Sequence, residues 1–272
     1  MKWKLTMAFK SRAFLMMILL FANNLLKAQV VLKADGSDDA YQQISHVLGG
    51  DACEVPDCVH HIKHITEAFD KQLNEYVFVF HSHAKEDNDR CRNFDRERVE
   101  IKTYGPSAAK LKGEHGETVI YKWKFKIDSG FKAQPTFTHI HQIKAGDGDA
   151  GAPIITFTPR FGEPDQFEII HTGSAKGTSQ GVLTRVSLAD FKGNWVEVTE
   201  KLHYDSQGTY SVEIKRVADN KTLLSYANTN IDLWRNGTSF CRPKWGVYRS
   251  LKSPAYIRDE DVSFADIAIL EQ

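Results

Sequence analysis

Three short stretches of this 272-residue chain carry polar and titratable side chains at alternating positions, a pattern that could bind an anionic group and move a proton. In Arg98-Val-Glu-Ile-Lys102 an extended backbone places Arg98, Glu100 and Lys102 on one face and Val99 and Ile101 on the other. In Thr138-His-Ile-His-Gln-Ile-Lys144, His139 and His141 share one face and Gln142 and Lys144 the other. In Lys244-Trp-Gly-Val-Tyr-Arg249, Lys244, Gly246 and Tyr248 lie together, opposite Trp245, Val247 and Arg249. A glycine in mid-strand removes bulk where something else comes close. Faces of this kind could supply donors to an anionic group together with an acid or a base. Arg98, Gln142, Lys144 or a charged histidine could be the donors. His81 and His83 offer a spare imidazole. Glu163-Pro-Asp-Gln-Phe-Glu168 superficially offers the two carboxylates of a hydrolytic pair. Pro164 after Gly162 reads as a turn, however, and not as the central strand such a pair requires. The Gly146-Asp-Gly-Asp149 turn could hold a structural Ca²⁺, although such turns also form without an ion.

The elements that must position these residues are strands. From Tyr76 onward, runs rich in Val, Ile, Thr and aromatics alternate with Gly, Asp, Asn and Pro. Strands are predicted near 76–81, 98–103, 118–127, 137–144, 154–158, 167–171, 183–187, 195–204, 209–217, 223–226, 244–250 and 262–270. In Tyr121-Lys-Trp-Lys-Phe-Lys-Ile127 every second residue is Lys, so one face meets water and the other a core. Such a row makes two packed antiparallel sheets. The spacing of Val59, Ile62, Ile65, Phe69 and Leu73 predicts a helix, and polar, Gly-containing residues 34–51 an extended arm. Of Trp123, Trp195, Trp234 and Trp245, two or three are expected in the core, leaving at most a platform or two for stacking.

Ahead of this domain, Lys2, Lys4, Lys10 and Arg12 precede an apolar run from Ala13 to Ala22. This reads as a secretory signal ending at Ala28, the run being shorter than the ~20 residues of a membrane span. The organisation is then 1–28 signal, 29–75 an N-terminal arm packing on the sandwich, and 76–272 the β-domain. Export implies a periplasmic or secreted, disulfide-permissive setting. Cys53 and Cys58 could close a small loop. Cys91 and Cys241 each lie seven residues before Arg98 and Tyr248 respectively, which predicts that they staple neighbouring strands at one end. The cysteine spacings are not those of a zinc site, and no metal ligands are assigned. With 35 basic and 35 acidic residues the chain has no net formal charge, so no global field favours nucleic acid or anionic lipid.

Taken together, the three strands resemble those of the jelly-roll polysaccharide lyases, the group with a concanavalin A-like sandwich that includes alginate, glucuronan and heparin lyases. There one strand reads Arg-(Ser/Thr)-Glu-Leu-Arg, a second Gln-Ile-His and a third Tyr-Phe-Lys-Ala-Gly-x-Tyr. Arg98, Glu100 and Lys102 match the first; Lys244, Gly246 and Tyr248 match the third; Val262-Ser-Phe-Ala-Asp-Ile-Ala268 resembles the closing strand. The middle strand departs: Gln142-Ile-Lys144 puts Lys where the family has His, while His139-Ile-His141 keeps a His and loses the Gln. Both registers stay open, with Gln142 preferred. The resemblance implies an all-β jelly roll and β-elimination on a uronic-acid polysaccharide by a monomer that needs no cofactor, and once the signal is removed no membrane is involved. Tyr248, Gln142, His141 and Arg98 would be catalytic; Glu100, Lys102, His139, Lys144, Lys244 and Arg249 would bind substrate. The alternatives are a non-catalytic, lectin-like glycan binder and a glycoside hydrolase on the same fold.

Overall fold

In β6 (Thr118–Ile127) the alternation read from the sequence is realised: Tyr121, Trp123, Phe125 and Ile127 are buried, while Lys124 and Lys126 reach outward to Asp266 and Asp70. The computed structural model describes residues 29–58, 62–174 and 177–272. The signal-peptide reading of residues 1–28 falls outside them. Among the described residues no helix is long and apolar enough to cross a membrane.

Two antiparallel sheets face each other. The back sheet runs β13 (Thr222–Ile231), β12 (Gly208–Arg216), β11 (Val196–His203), β6, β15 (Glu260–Glu271), β4 (Glu75–Ser82) and β3 (Ile65–Asp70), with β1 (Gln29–Leu32) also paired to β15. The front sheet runs β10 (Gly181–Ser187), β9 (Gln166–His171), β8 (Ile155–Arg160), β7 (Thr138–Ala145), β14 (Cys241–Ser250), β5 (Arg96–Lys102) and β2 (Cys53–Glu54). This is the expected all-β jelly-roll sandwich. Between the sheets sit Trp123, Trp245, Phe157 and the ring stack of Phe125, Phe167 and Phe191, whose centroids lie 4.3–6.2 Å apart. Each large apolar side chain so buried contributes roughly 1.5–3 kcal/mol. Of the four tryptophans in question, Trp123, Trp195 and Trp245 are buried and Trp234 half-buried.

The region ahead of β4 differs from expectation. The helix lies within the predicted arm, at α1 (Ala40–Leu48), where Ala40, Ile44 and Leu48 form a buried stripe. Its N-terminus is capped by Asp39, which accepts from the Gln42 N–H at 3.2 Å, and its C-terminus by Gly49 at φ +86°. Where a helix was predicted around Ile65 and Phe69, the chain forms the edge strand β3. The 3.6-residue spacing there spanned a strand end and the turn at Asp70–Leu73, whose amides bond the Asp70 carboxylate. The segment read as an arm thus supplies β1 and β3 to one sheet and β2 to the other.

The cysteine expectation is corrected as well. The disulfide joins Cys58 to Cys91, with Cα atoms 6.4 Å apart, and Cys241 is a buried free thiol whose Sγ donates to the Leu233 carbonyl. Equal offsets along the chain mark the same end only in parallel strands. Because β14 and β5 run antiparallel, with Tyr248 opposite Arg98, Cys91 and Cys241 lie toward opposite ends of the pair.

Candidate active site

The three chemistry-bearing strands are neighbours, with β14 between β7 and β5. The register sets Tyr248 opposite Arg98 on one side and His139 on the other, and Lys244 opposite Lys102 and Gln142. Between Trp245 and Tyr248 the β14–β7 register slips, so that Gly246 and Val247 together oppose Ile140. Gly246 adopts φ +136°, and a Cβ there would lie 2.1 Å from the Val99 carbonyl oxygen. Only glycine fits, and what comes close is the backbone of β5.

This slip also settles which histidine stands beside Tyr248. His139 is half-buried on the open face with its ring 6.2 Å from that of Tyr248, and its Nδ1 is 2.8 Å from Thr158 Oγ1. His141 points the other way, into the core, between Trp123, Phe157 and Trp245, with Nε2 3.0 Å from Glu200 on β11. It is fully buried, and the structure does not bring it to the other site residues. Burial, reinforced by Arg160, Arg98 and Lys144 against the opposing pull of Glu100, pushes His139 down to about 3. At neutral pH it is an uncharged imidazole.

Beneath the open face lies an ionic network centred on Glu100, which is fully buried. Its carboxylate accepts from Arg98 and Gln142 and, at 2.6 Å, from Lys244. Glu54 of β2 adds contacts of 2.5 Å to Lys244 and 2.8 Å to Lys102. Asp89 holds the Arg98 Nε at 2.8 Å. Burial works to raise both glutamates, but Lys244 and Arg98 outweigh it, and both carboxyls stay below their ordinary range. The Arg98 guanidinium, so anchored, lies 3.6 Å from the Tyr248 ring centroid, and Phe137 packs against the same ring at 5.0 Å. The Tyr248 hydroxyl accepts a hydrogen bond of 3.2 Å from Arg96.

Of the residues singled out in the sequence, Arg98, Glu100, Lys102, His139, Gln142, Lys144, Lys244 and Tyr248 converge on one sheet face. Arg98, Gln142 and Lys244 are nevertheless almost covered, at 8%, 2% and 2% exposure. Arg249 turns to the opposite face, where it is buried and paired with Glu97 at 2.5 Å. Lys144 donates to the Gly151 carbonyl at 2.9 Å, and burial together with Lys244, Arg98 and Arg242 pushes it down to about 8. Three participants escaped the sequence reading: Arg96, Glu54 and Asp89. Arg96 was findable, because Arg96-Glu-Arg-Val-Glu-Ile-Lys102 continues the same alternation two residues further. Beside this network a cleft of about 390 Å³, lined by Glu54, Arg90, Arg92 and Lys102 among others, opens at the β2 edge. Away from it, Asp147 of the Gly-Asp-Gly-Asp turn accepts from Thr238 and Ser239, and Asp149 faces Arg235 at 3.6 Å.

The fold, two antiparallel sheets with these three strands side by side, is similar to that of solved jelly-roll polysaccharide lyases. Solved structures similar to the chain include an endo-β-1,4-glucuronan lyase from the fungus Trichoderma reesei (14% identity, TM-score 0.52, covering 76% of this chain and 86% of that one). A marine alginate lyase from Aplysia kurodai matches at 14% identity and TM-score 0.56, covering 91% and 99%. An alginate lyase in complex with alginate trisaccharide matches at 8% identity and TM-score 0.57, covering 91% and 99%. No protein-family model and no curated protein matches the sequence.

Proposed function

We propose that the protein is a lyase that cleaves a uronic-acid-containing polysaccharide by β-elimination. The observation that carries this reading is the setting of Tyr248, whose hydroxyl is held by one guanidinium, Arg96, while its ring lies on another, Arg98. The two guanidiniums fix the position of the hydroxyl and offer charge to an anionic substrate beside it. As phenolate, Tyr248 takes the C5 proton; the C4–O4 bond breaks as the C4–C5 double bond forms; the phenol then returns the proton to O4. One residue serves both steps when the two groups lie on the same side of the sugar. When they lie on opposite sides, neutral His139 beside Tyr248 supplies the second proton carrier. Arg96 is partly exposed, whereas Arg98 and Gln142 are bound from below. Arg96 and Lys144 therefore meet the uronate carboxylate, with Arg98 and Lys244 supplying a positive floor.

The similar solved structures support the substrate class, since several are lyases of alginate or glucuronan. The hydrolase alternative loses its support, because Glu163 and Pro164 lie in the turn before β9 and only Gln166–Glu168 enters the strand. The test is to incubate the protein with alginate, glucuronan, heparin, hyaluronan and pectate while recording the ultraviolet absorbance of the unsaturated uronate. At least one should give a rising signal, and Tyr248→Phe should lower its rate by roughly 10²-fold or more with binding largely kept. A Tyr248→Phe protein that cleaves at near wild-type rate, or no unsaturated product from any of the five, would overturn the reading.

A further inference from the structure

Two residues ahead of Asp89 along the chain lies Asp87, which with His64 and His83 gathers three ligand atoms within 4.8 Å of one another. His64 precedes β3, His83 follows β4, and Asp87 lies in the loop that leads to β5. His64 is completely buried and the Asp87 side chain is inaccessible, whereas His83 is 28% exposed, so a solute could reach the cluster from its side. Asp87 lies 3.0 Å from His64 Nε2 and 3.2 Å from His83 Nδ1.

The carboxylate behind His64 points the same way. The remaining ring nitrogen of His64, Nδ1, lies 2.5 Å from Asp57 Oδ1. A carboxylate on one imidazole nitrogen, with the other aimed at a shared point, is the carboxylate–histidine–metal arrangement that fixes the tautomer and raises ligand basicity. We propose that His64, His83 and Asp87 bind a divalent transition metal, zinc by its donor chemistry, with Asp57 orienting His64. Two imidazoles and one carboxylate suit zinc better than calcium or magnesium, which take oxygen ligands. With bonds of about 2.0–2.2 Å, a tetrahedral zinc separates its ligand atoms by roughly 3.4 Å, so the cluster closes onto the ion by small side-chain rotations. The surroundings favour a cation, because the carboxylates of Asp57 and Asp87 both contact the His64 ring.

The location gives the site a role. Asp87 is two residues from Asp89, which holds Arg98, and the Asn88 carbonyl accepts from the Arg98 amide. The same loop carries Glu86, Arg90 and Cys91 at positive φ, and Cys91 is tied to Cys58, next to Asp57. A metal at Asp87 therefore pins one end of the loop whose other end is stapled by the disulfide, and the pinned segment carries the anchor of Arg98. This inference does not depend on the lyase reading.

The test uses the purified protein, freed of metal with a chelator, then mixed with zinc and passed through gel filtration. The expected result is one zinc per chain by elemental analysis and a melting temperature raised by zinc, with magnesium and calcium ineffective. His83→Ala, at the accessible edge, should lower zinc affinity by roughly tenfold or more while keeping the wild-type circular dichroism. Asp87→Asn should do the same where it folds. His81→Ala should bind zinc as wild type does, because His81 faces Thr66 and Asp261 instead. Wild-type protein that emerges without zinc, or a His83→Ala protein that binds zinc as tightly as wild type, would overturn the proposal and leave the cluster an Asp–His–Asp ion pair.

Discussion

Glu100→Gln removes one charge and almost no volume from the centre of the network beneath Tyr248. In the native protein the four cations Arg98, Lys244, Lys102 and Arg90 face three carboxylates, Glu54, Glu100 and Asp89, which leaves one positive charge in excess. The variant leaves the same four cations facing two carboxylates, with Lys244 2% and Arg98 8% exposed. Removing one partner of a buried ion pair costs about 3–5 kcal/mol, because the other charge stays buried and uncompensated. Glu54, 2.5 Å from Lys244, absorbs part of this, so the expected loss is about 3 kcal/mol. In a domain of this size that lowers the melting temperature by roughly 6–12 °C. The pH dependence distinguishes this cause from a packing defect. Burial would raise the Glu100 pKa, but Lys244 and Arg98 hold it below the ordinary value. A carboxyl with a lowered folded-state pKa contributes stability that is complete above its unfolded pKa of about 4.3 and is lost as pH falls toward the folded value. The gap between wild type and Glu100→Gln in urea denaturation should therefore be constant near neutral pH and shrink below about pH 4. A gap under about 1 kcal/mol at neutral pH, or one that persists unchanged into acid, would refute the assignment of Glu100 as the charge that holds the network.

Three further outcomes follow from the same geometry. Gly246→Ala should destabilise the protein by roughly 2–4 kcal/mol and abolish turnover, measured by denaturation and by product absorbance, because its Cβ would meet the Val99 carbonyl at a left-handed φ. Peptide mapping without reduction should recover Cys58 linked to Cys91, with Cys241 alkylated only after denaturation. Cys91→Ser should cost roughly 3–4 kcal/mol, given the 33-residue separation. The KM for a cleaved uronan should rise as pH passes about 8, where Lys144, lowered by burial and by Lys244, Arg98 and Arg242, loses its charge and its attraction for a carboxylate. Lys144→Gln should raise KM and remove that rise, and a variant whose KM still climbs through the same range would exclude Lys144 as its source.

The strands were legible because most of them separate a wet face from a dry one. Alternation located β6 at 118–127 and placed β5, β7 and β14 to within three residues at either end. It failed ahead of β4, where burial is not shared out face by face. There β3 is an edge strand with half-exposed residues, α1 shows three buried positions among nine, and apolar spacing alone could not rank helix above strand. The informative signals were local and chemical: Asp39 as N-cap and Gly49 just beyond Leu48 bracket the helix.

The site shows a different limit. Each strand's facing residues were readable one strand at a time, but which residues meet depends on register, and register is a property of pairs. The mispaired cysteines came from treating equal chain offsets as equal positions, which antiparallel pairing reverses. The histidine ambiguity came from assuming that a period of two holds through residues 139–144. It does not, because the slip at Gly246 and Val247 lets His139 join Tyr248 on the open face while His141 enters the core. Strict alternation would have put both imidazoles on one face and Gln142 on the other. The mid-strand glycine is thus the residue that makes the slip sterically feasible, since only a residue without Cβ fits against β5 there. Gly246 thereby serves the site by deciding that the imidazole beside Tyr248 is that of His139.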